Sequence, residues 1–167
     1  MEFSELIFKR RSVRKYKKKP VEDEKLQKIL EAMRIAPSAA NRQPFVFYVV
    51  RDEETRLRMR EVYDKEWFYT APVILCGFVN QGKAWTRYDG KKYGEVDVTI
   101  AMDHLILAAA NEGLGTCWVA AFKPDRLREI LGAGDELEPV VITPLGYPDD
   151  GTRDTKRKPL EELVVFV

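Results

Sequence analysis

The stretch 96-VDVTIAMDHLILAAA-110 decides the fold, because it is the longest apolar segment of the chain. Asp97, Asp103 and His104 interrupt it well short of the roughly 20 residues that a membrane span requires. We therefore predict a buried helix that begins near Glu95 and ends at a glycine, Gly113. A helix that is apolar on nearly every side needs cover all round, which predicts burial between the two subunits of a homodimer.

Upstream of this helix the pattern predicts further helices and strands. The residues 21-VEDEKLQKILEAMR-34 carry apolar side chains at spacing i, i+3, i+4, i+7 and acids at the start, which is typical of an amphipathic helix. The run 45-FVFYVV-50 and the run 72-PVILCGFV-79 are predicted strands. Asp52 is predicted to cap a charged helix that extends to about Tyr63.

Downstream, strands alternate with one more helix. We predict strands over Thr116–Val119 and Val140–Gly146, and between them a helix that opens at Pro124 and closes at Gly132. The chain finishes with 160-LEELVVFV-167, whose apolar end would be costly to leave in water and is expected to pair with another segment. Because helices and strands intermix without a regular βαβ repeat, we expect one α+β domain over the whole chain.

Composition removes several classes of function. The 167 residues include 28 basic and 27 acidic side chains, so the net charge of +1 gives no general attraction to nucleic acid or acidic membranes. Cys76 and Cys117 form no CxxC pair, which disfavours zinc and fits a reduced intracellular compartment. The N-terminal residues lack the small-residue cleavage site of a signal peptide, so we expect a cytoplasmic protein.

The first cluster with chemical potential is 9-KRRSVRKYKKK-19, in which eight of eleven residues are basic. Such a run is often a solvated charged face, and a nucleic-acid patch is another interpretation. Its first part gathers three arginines and a hydroxyl within five residues: Arg10, Arg11, Ser12 and Arg14. A turn or helix end could direct two guanidinium groups and the hydroxyl at one phosphate, so we favour a phosphorylated ligand.

The second cluster, 37-PSAANRQP-44, is a loop bracketed by prolines. Its polar residues could be ordinary turn chemistry. A rigid loop that presents amides is also what a heteroaromatic ring with several donors and acceptors requires, and Asn41 and Gln43 suit that role.

The third cluster, 113-GLGTCWVAAF-122, fails as a dinucleotide fingerprint because Trp118 occupies the place of the third glycine. The alternative is that the small Ala120 and Ala121 let main-chain N–H groups approach a flat cofactor beside Trp118. Between the second and third clusters, the stretch 80–94 carries three glycines and aromatic residues, and we interpret it as a mobile lid.

Taken together, these clusters resemble a known family. The segments RRSVRKY (10–16), PSAANRQPFVF (37–47) and DVTIAMDHLILAAANEGLGTCWVAAF (97–122), followed by LGYP (145–148) and RKPLEELV (157–164), resemble the nitroreductase-like FMN flavoproteins in order and spacing. The resemblance covers the chain from about Phe3 to its end. It implies a central, mostly antiparallel sheet flanked by helices, with a C-terminal strand exchanged in a homodimer.

The resemblance also implies roles for individual residues. The phosphate and ribityl end of FMN would meet the arginines and serine of the first cluster, and Ser38, Asn41 and Gln43 would reach the flavin from the partner subunit. The backbone at Ala120 and Ala121 would face the reactive ring nitrogen. A C-terminal basic residue, Arg157 or its possible substitute Lys156, would close on the phosphate. The expected cofactor contacts are Arg10, Arg11, Ser12, Arg14, Ser38, Asn41, Gln43, Trp118, Val119, Ala120, Ala121 and Arg157.

The function implied is an FMN-dependent oxidoreductase that takes hydride from NADH or NADPH and reduces small acceptors such as nitroaromatics or quinones. The flavin carries this chemistry, so no catalytic side chain is expected, and the lone histidine, His104, is interpreted as a core residue. One alternative is a related flavin enzyme such as a reductive dehalogenase, whose extra lid segments this chain is too short to carry. The other is a module that merely holds FMN or another anion, or grips nucleic acid through residues 9–19.

Overall fold

An antiparallel sheet lies at the centre of the fold, as seen in a computed structural model that describes residues 2–151 and 155–167. Its strands are β1 (Phe45–Val50), β2 (Val73–Asn80), β3 (Gly115–Thr116) and β4 (Leu137–Gly146). They lie in the order β1-β2-β4-β3, and each neighbouring pair is antiparallel. The predicted α+β architecture with a mostly antiparallel sheet is confirmed.

Helices cover both faces of the sheet. They are α1 (Phe3–Lys9), α2 (Asp23–Arg34), α3 (Glu53–Arg58), α4 (Glu66–Tyr69), α5 (Gly94–Asn111) and α6 (Pro124–Leu131), with 3-10 turns at Ala39–Asn41, Met59–Glu61 and Leu160–Glu162. The predicted signals at their ends hold: Asp52 accepts a hydrogen bond from the Thr55 N–H at 2.8 Å, and Gly113 and Gly132 follow α5 and α6 with φ of +76° and +59°.

Alternate residues of β2 divide the interior into two cores. Leu75 and Val79 face the side where α2 and α5 pack, whereas Ile74 and Phe78 face the side of the 3-10 turn at Met59–Glu61, α4 and α6. Because β2 is covered on both faces, its first seven residues are buried, and the continuous apolar run of the sequence is explained.

The long helix α5 packs closely against the sheet at Gly77 of β2, which has no side chain. A Cβ atom added to Gly77 would lie 3.0 Å from Cγ1 of Val98, so the glycine allows the close approach. The sheet and α2 cover most of α5 within one chain. An uncovered stripe runs along the helix, where Val96, Thr99 and Asp103 are exposed, and only this stripe is left for a second subunit to cover.

The predicted strand Thr116–Val119 is wrong beyond Thr116. The Cys117 N–H donates to the Thr143 hydroxyl oxygen at 3.1 Å, so a side chain takes the place of a main-chain ladder partner. Val119 then rejoins the sheet through a single bridge to Ile142. The charged helix predicted to reach Tyr63 is also shorter, since α3 ends at Arg58 and a 3-10 turn follows.

The apolar C-terminal segment is largely exposed to solvent. After the 3-10 turn at Leu160–Glu162, Val165 and Phe166 are 84% and 90% exposed. Exchange of this segment as a strand between two subunits therefore stays a prediction.

Candidate functional site

The first and third clusters of the sequence meet beside β3. The Val13 N–H donates to the Thr116 carbonyl at 2.8 Å, and Ser12 pairs with Thr116 in a parallel bridge. A Cβ atom at Gly115 would lie 2.5 Å from Cγ2 of Val13. Gly115 is therefore required for the basic segment to lie this close to the sheet.

Arg11 and Asp150 form a largely buried ion pair next to this junction. The Arg11 Nη2 atom donates to Asp150 Oδ1 at 2.7 Å and to the Asp150 carbonyl at 2.9 Å, and the Arg14 N–H donates to Asp150 Oδ2 at 3.1 Å. The two side chains are only 16% and 15% exposed. Burial opposes the charge of Asp150, but the Arg11 guanidinium and the Arg14 N–H outweigh it and lower the pKa of the carboxyl group.

One nitrogen of the Arg11 guanidinium takes no part in this ion pair. The Nη1 atom of Arg11 is buried and has no hydrogen-bond partner within residues 2–151 and 155–167. A buried guanidinium nitrogen without an acceptor is costly, and an anion from outside the chain would satisfy it.

Ser12 lies next to Cys117, because it bridges to Thr116, and Arg10 and Arg14 stand two residues to either side of it. Burial raises the pKa of Cys117, while the charges of Arg14 and Arg10 and a hydrogen bond from Ser12 act to lower it. The Arg14 guanidinium also lies 6.0 Å from the centre of the Trp67 ring. The structure thus brings the predicted phosphate-binding residues together at one place.

The rest of the basic run is partly neutralised. Lys9, Lys15 and Lys19 are paired with Glu5, Asp149 and Glu22, respectively. With Arg11 paired to Asp150, half of the eight basic residues have acidic partners, and the run is not a uniform cationic face.

The second cluster forms a tight loop with unusual backbone angles. Ala40, Asn41 and Gln43 have φ of 51°, 53° and 49°, a region that costs non-glycine residues about 1–3 kcal/mol each. Inside the loop, Ser38 Oγ accepts from the Gln43 N–H at 3.0 Å, and Gln43 Nε2 donates to Asn41 Oδ1 at 3.0 Å. Asn41 and Gln43 are exposed, so the amides lie on the surface of the chain.

The two polar clusters lie at opposite ends of α5. The Ala39 N–H donates to Asp97, near the start of the helix, whereas Arg10 and Arg11 line a pocket of about 170 Å³ together with Ala110, near its end. At 1.5 Å per residue, the two ends are about 20 Å apart. We call residues 37–44 the amide loop, and Arg10, Arg11, Ser12 and Arg14 the basic cluster. One chain therefore does not bring its amide loop to its basic cluster.

The remaining predicted contacts lie in the third cluster and in the C-terminal segment, and all but one of them are exposed to solvent. Trp118 is 39% exposed, Ala120 and Ala121 are exposed, and Val119 is buried. Arg157 is exposed, and its recorded hydrogen bond goes to the Lys156 carbonyl.

The predicted lid is a loop, as expected, and carries internal contacts. Thr86 and Lys92 pair across it, and the rings of Trp85 and Tyr93 meet edge to face at 5.5 Å. Its backbone also contacts the amide loop, since Arg42 Nη1 donates to the Ala84 carbonyl at 3.4 Å. The mobility of the lid stays a prediction.

Two other kinds of site, a metal centre and a membrane span, are absent from the described residues. No group of three or more His, Cys, Asp or Glu side chains in the described ranges could hold a metal ion. None of the helices described is long and apolar enough to cross a membrane.

Comparison with known proteins shows the family of the chain. The model of the nitroreductase family matches residues 7–65 and 60–147, which together span most of the chain. The chain belongs to the nitroreductase family. The resemblance noted in the sequence is thereby confirmed.

Several nitroreductase relatives match over nearly the whole chain. A nitroreductase family protein from Clostridium difficile 630 is 37% identical, with a TM-score of 0.93 and coverage of 99% of this chain and 98% of that one. A putative NADH dehydrogenase/NAD(P)H nitroreductase from Archaeoglobus fulgidus is 31% identical, over 87% of this chain and 84% of its own length.

Two other relatives carry more specific names. Iodotyrosine deiodinase 1 of Rattus norvegicus is 32% identical, over 99% of this chain and 70% of its own length. The solved FMN-dependent nitroreductase from Clostridium difficile R20291 is 28% identical, with a TM-score of 0.80 and coverage of 90% of each chain.

Sequence reasoning missed two residues of this candidate site, Asp97 and Asp150. Asp97 is 1% exposed inside an apolar helix, and an acid at such a position was a signal that could have been read. Asp150 carries no such signal, because its partner Arg11 lies 139 residues away.

Proposed function

We propose that residues 1–167 form one FMN-binding domain of a homodimeric oxidoreductase, which takes hydride from NADH or NADPH and reduces small acceptors such as nitroaromatics or quinones. FMN is the cofactor, in keeping with the family and with the FMN-dependent relative. The observation that carries the proposal is the buried Nη1 atom of Arg11, which has no hydrogen-bond partner among the described residues. It lies in the short segment that also holds Arg10, Ser12 and Arg14.

The basic cluster fits the phosphate end of FMN. Arginine forks bind phosphate oxygens through paired N–H groups, and charge-assisted bonds of this kind are the strong ones. Arg10 and Arg14 would hold the phosphate with the Ser12 hydroxyl, and Arg11 would offer its free N–H. Arg157 or Lys156 would close on the same phosphate from the C-terminal segment.

The amide loop fits the ring end of the cofactor, but in a second copy of the chain. Because the loop lies about 20 Å from the basic cluster of its own chain, Ser38, Asn41 and Gln43 would reach the flavin held by the other subunit. The exposed stripe of α5 offers the contact surface between the two copies. The backbone from Trp118 to Ala121 would lie along the ring from the first subunit.

The free edge of β1 supports strand exchange. In the described sheet β1 pairs with β2 alone, so its outer edge is open, and the apolar residues 163–167 are exposed. An open edge readily accepts another strand. We place the C-terminal segment of one subunit on β1 of the other.

When bound, the flavin accepts and donates hydride, so the protein contributes position and electrostatics. No acid or base from the chain is needed. The basic cluster fixes the phosphate end, the amides fix the ring, and the methyl groups of Ala120 and Ala121 limit the space beside it.

An absorbance spectrum followed by anaerobic titration tests this function. The purified protein, incubated with FMN and freed of excess, should show a bound flavin spectrum that bleaches on addition of NADH or NADPH and returns with a nitroaromatic or quinone. A protein that stays colourless after incubation with FMN would refute the proposal.

A reductive dehalogenase is the second candidate, because iodotyrosine deiodinase is among the relatives. That alignment runs over 202 positions for a chain of 167 residues, so the relative contains segments without a counterpart here. The flavoprotein should therefore release little iodide from iodotyrosine when dithionite supplies electrons. Iodide release at a rate above nitroaromatic reduction would reverse this order.

A further inference from the structure

Asp97 is a buried acid that the proposed chemistry does not use. It lies near the start of α5 and is 1% exposed. Its Oδ1 atom accepts the Ala39 N–H at 2.8 Å, while Oδ2 is buried with no partner in the part of the chain described. A buried carboxylate with so few hydrogen bonds is costly to keep, and the N-terminus of α5 offsets only part of that cost.

The amide loop needs an external anchor. Left-handed residues other than glycine persist only where the surrounding structure fixes them. Two contacts hold the base of the loop: Ser38 Oγ with the Gln43 N–H at 3.0 Å, and the Asn80 N–H with the Pro44 carbonyl at 2.7 Å. Neither joins the turn itself to α5.

The hydrogen bond from the Ala39 N–H to Asp97 connects the turn to α5. It connects positions 58 residues apart, and Ala39 is the first residue of the 3-10 turn that leads into the left-handed backbone. Moving Ala39 would move Asn41, whose side-chain and carbonyl oxygens both accept from Gln43 Nε2. This carboxylate is therefore the contact that joins the turn with both amides to α5.

We propose that Asp97 is a positioning residue for the flavin, which fixes the amide loop so that Asn41 and Gln43 meet the ring in the other subunit. This inference rests on the proposed function, because that function places the loop against FMN. Asp97 acts through the Ala39 N–H and does not touch the cofactor.

Three variants test the role of Asp97. In Asp97→Ala the acceptor is lost, and in Ala39→Pro the donor is lost at a position where a turn tolerates proline. Asp97→Asn keeps an oxygen that can accept the Ala39 N–H. The control is Glu54→Ala, which removes an exposed acid from the first turn of another helix, α3.

The readouts are the FMN dissociation constant, from quenching of flavin fluorescence, and the visible circular dichroism of the bound flavin. We expect at least tenfold weaker binding and an altered flavin spectrum in Asp97→Ala and in Ala39→Pro, and less than a threefold change in Asp97→Asn and Glu54→Ala. Asp97→Ala and Ala39→Pro remove the same hydrogen bond. The double variant should therefore bind FMN no more weakly than the single variant with the lower affinity.

Several outcomes would overturn the role of Asp97. One is binding and a flavin spectrum within twofold of wild type in folded Asp97→Ala or Ala39→Pro. Another is an Asp97→Asn variant as poor as Asp97→Ala, which would show that the charge matters rather than the bond. If Asp97→Ala does not fold, Ala39→Pro and Asp97→Asn decide. A wild type that binds no FMN contradicts the proposed function itself, whereas unchanged variants beside a flavin-binding wild type remove only this inference.

Discussion

Asp150→Asn should destabilise the flavin-free protein by about 2 kcal/mol. Two unit charges about 4 Å apart attract by roughly 4 kcal/mol at an effective dielectric constant of 20, before the cost of desolvation. Exposed pairs contribute about 0.2–1 kcal/mol, whereas breaking a fully buried pair costs about 3–5 kcal/mol. With exposures of 16% and 15%, the pair of Arg11 and Asp150 lies between these limits.

The effect should depend on FMN and on pH. The phosphate of bound FMN can satisfy Arg11 in place of the lost carboxylate, so saturating FMN should reduce the difference between the variant and wild type. Because the folded pKa of Asp150 is lowered, its contribution is present above the ordinary pKa of about 3.9 and is lost as the pH falls through the folded value. The difference should therefore shrink below about pH 4.

Thermal unfolding of both proteins, with and without FMN, measures this. A loss of about 2 kcal/mol in a chain of this size corresponds to a fall in Tm of about 4–8 °C. The matched control is Asp149→Asn, since Asp149 pairs with Lys15 at 3.2 Å with exposures of 42% and 68% and should change Tm little. Equal shifts in both variants would contradict the reasoning, as would an Asp150→Asn loss that grows when FMN is added.

Further predictions concern the cofactor, the dimer and the packing. Arg14→Ala should weaken FMN binding at least tenfold in a fluorescence titration and Lys18→Ala less than threefold; equal losses would point to diffuse electrostatics. Deletion of residues 163–167 should convert the dimer to a monomer in analytical ultracentrifugation and release the flavin, and a truncated dimer that retains FMN would exclude strand exchange. Gly115→Ala places a methyl group 2.5 Å from a neighbouring side chain, which should cost about 1–3 kcal/mol in chemical denaturation. Gly151→Ala, whose added Cβ atom would meet nothing within 4 Å among the described residues, should leave stability unchanged, and a harmless Gly115→Ala would argue against the close approach.

Local signals in the sequence were enough to predict much of the fold. The apolar pattern of α5, the glycine at 113 and the proline that opens α6 each act over a few residues, and the structure confirms them. The strand predicted over Thr116–Val119 was too long because a hydroxyl from β4, on Thr143, replaces a main-chain partner. A contact between segments that are distant in sequence leaves no trace in the local pattern.

In the candidate site, too, the sequence predicts contacts between neighbours in the chain and misses contacts between distant residues. The sequence predicts that Arg10, Ser12 and Arg14 act together, because they are neighbours in the chain, and the structure brings them together. It does not predict that Asp150 forms an ion pair with Arg11 or that Asp97 accepts a hydrogen bond from Ala39, since these partners are 139 and 58 residues apart. Nor does it show that α5 separates the amide loop from the basic cluster.

That separation has a genetic consequence. In a twofold dimer, each flavin would draw its phosphate contacts from one polypeptide and its ring contacts from the other, so Arg14→Ala and Gln43→Ala lesions fall in different halves of a site. When the two defective polypeptides are coexpressed, a mixed dimer carries both lesions in one site and none in the other. Two alleles that are each inactive should then complement each other, which cannot happen where one polypeptide builds its whole site alone.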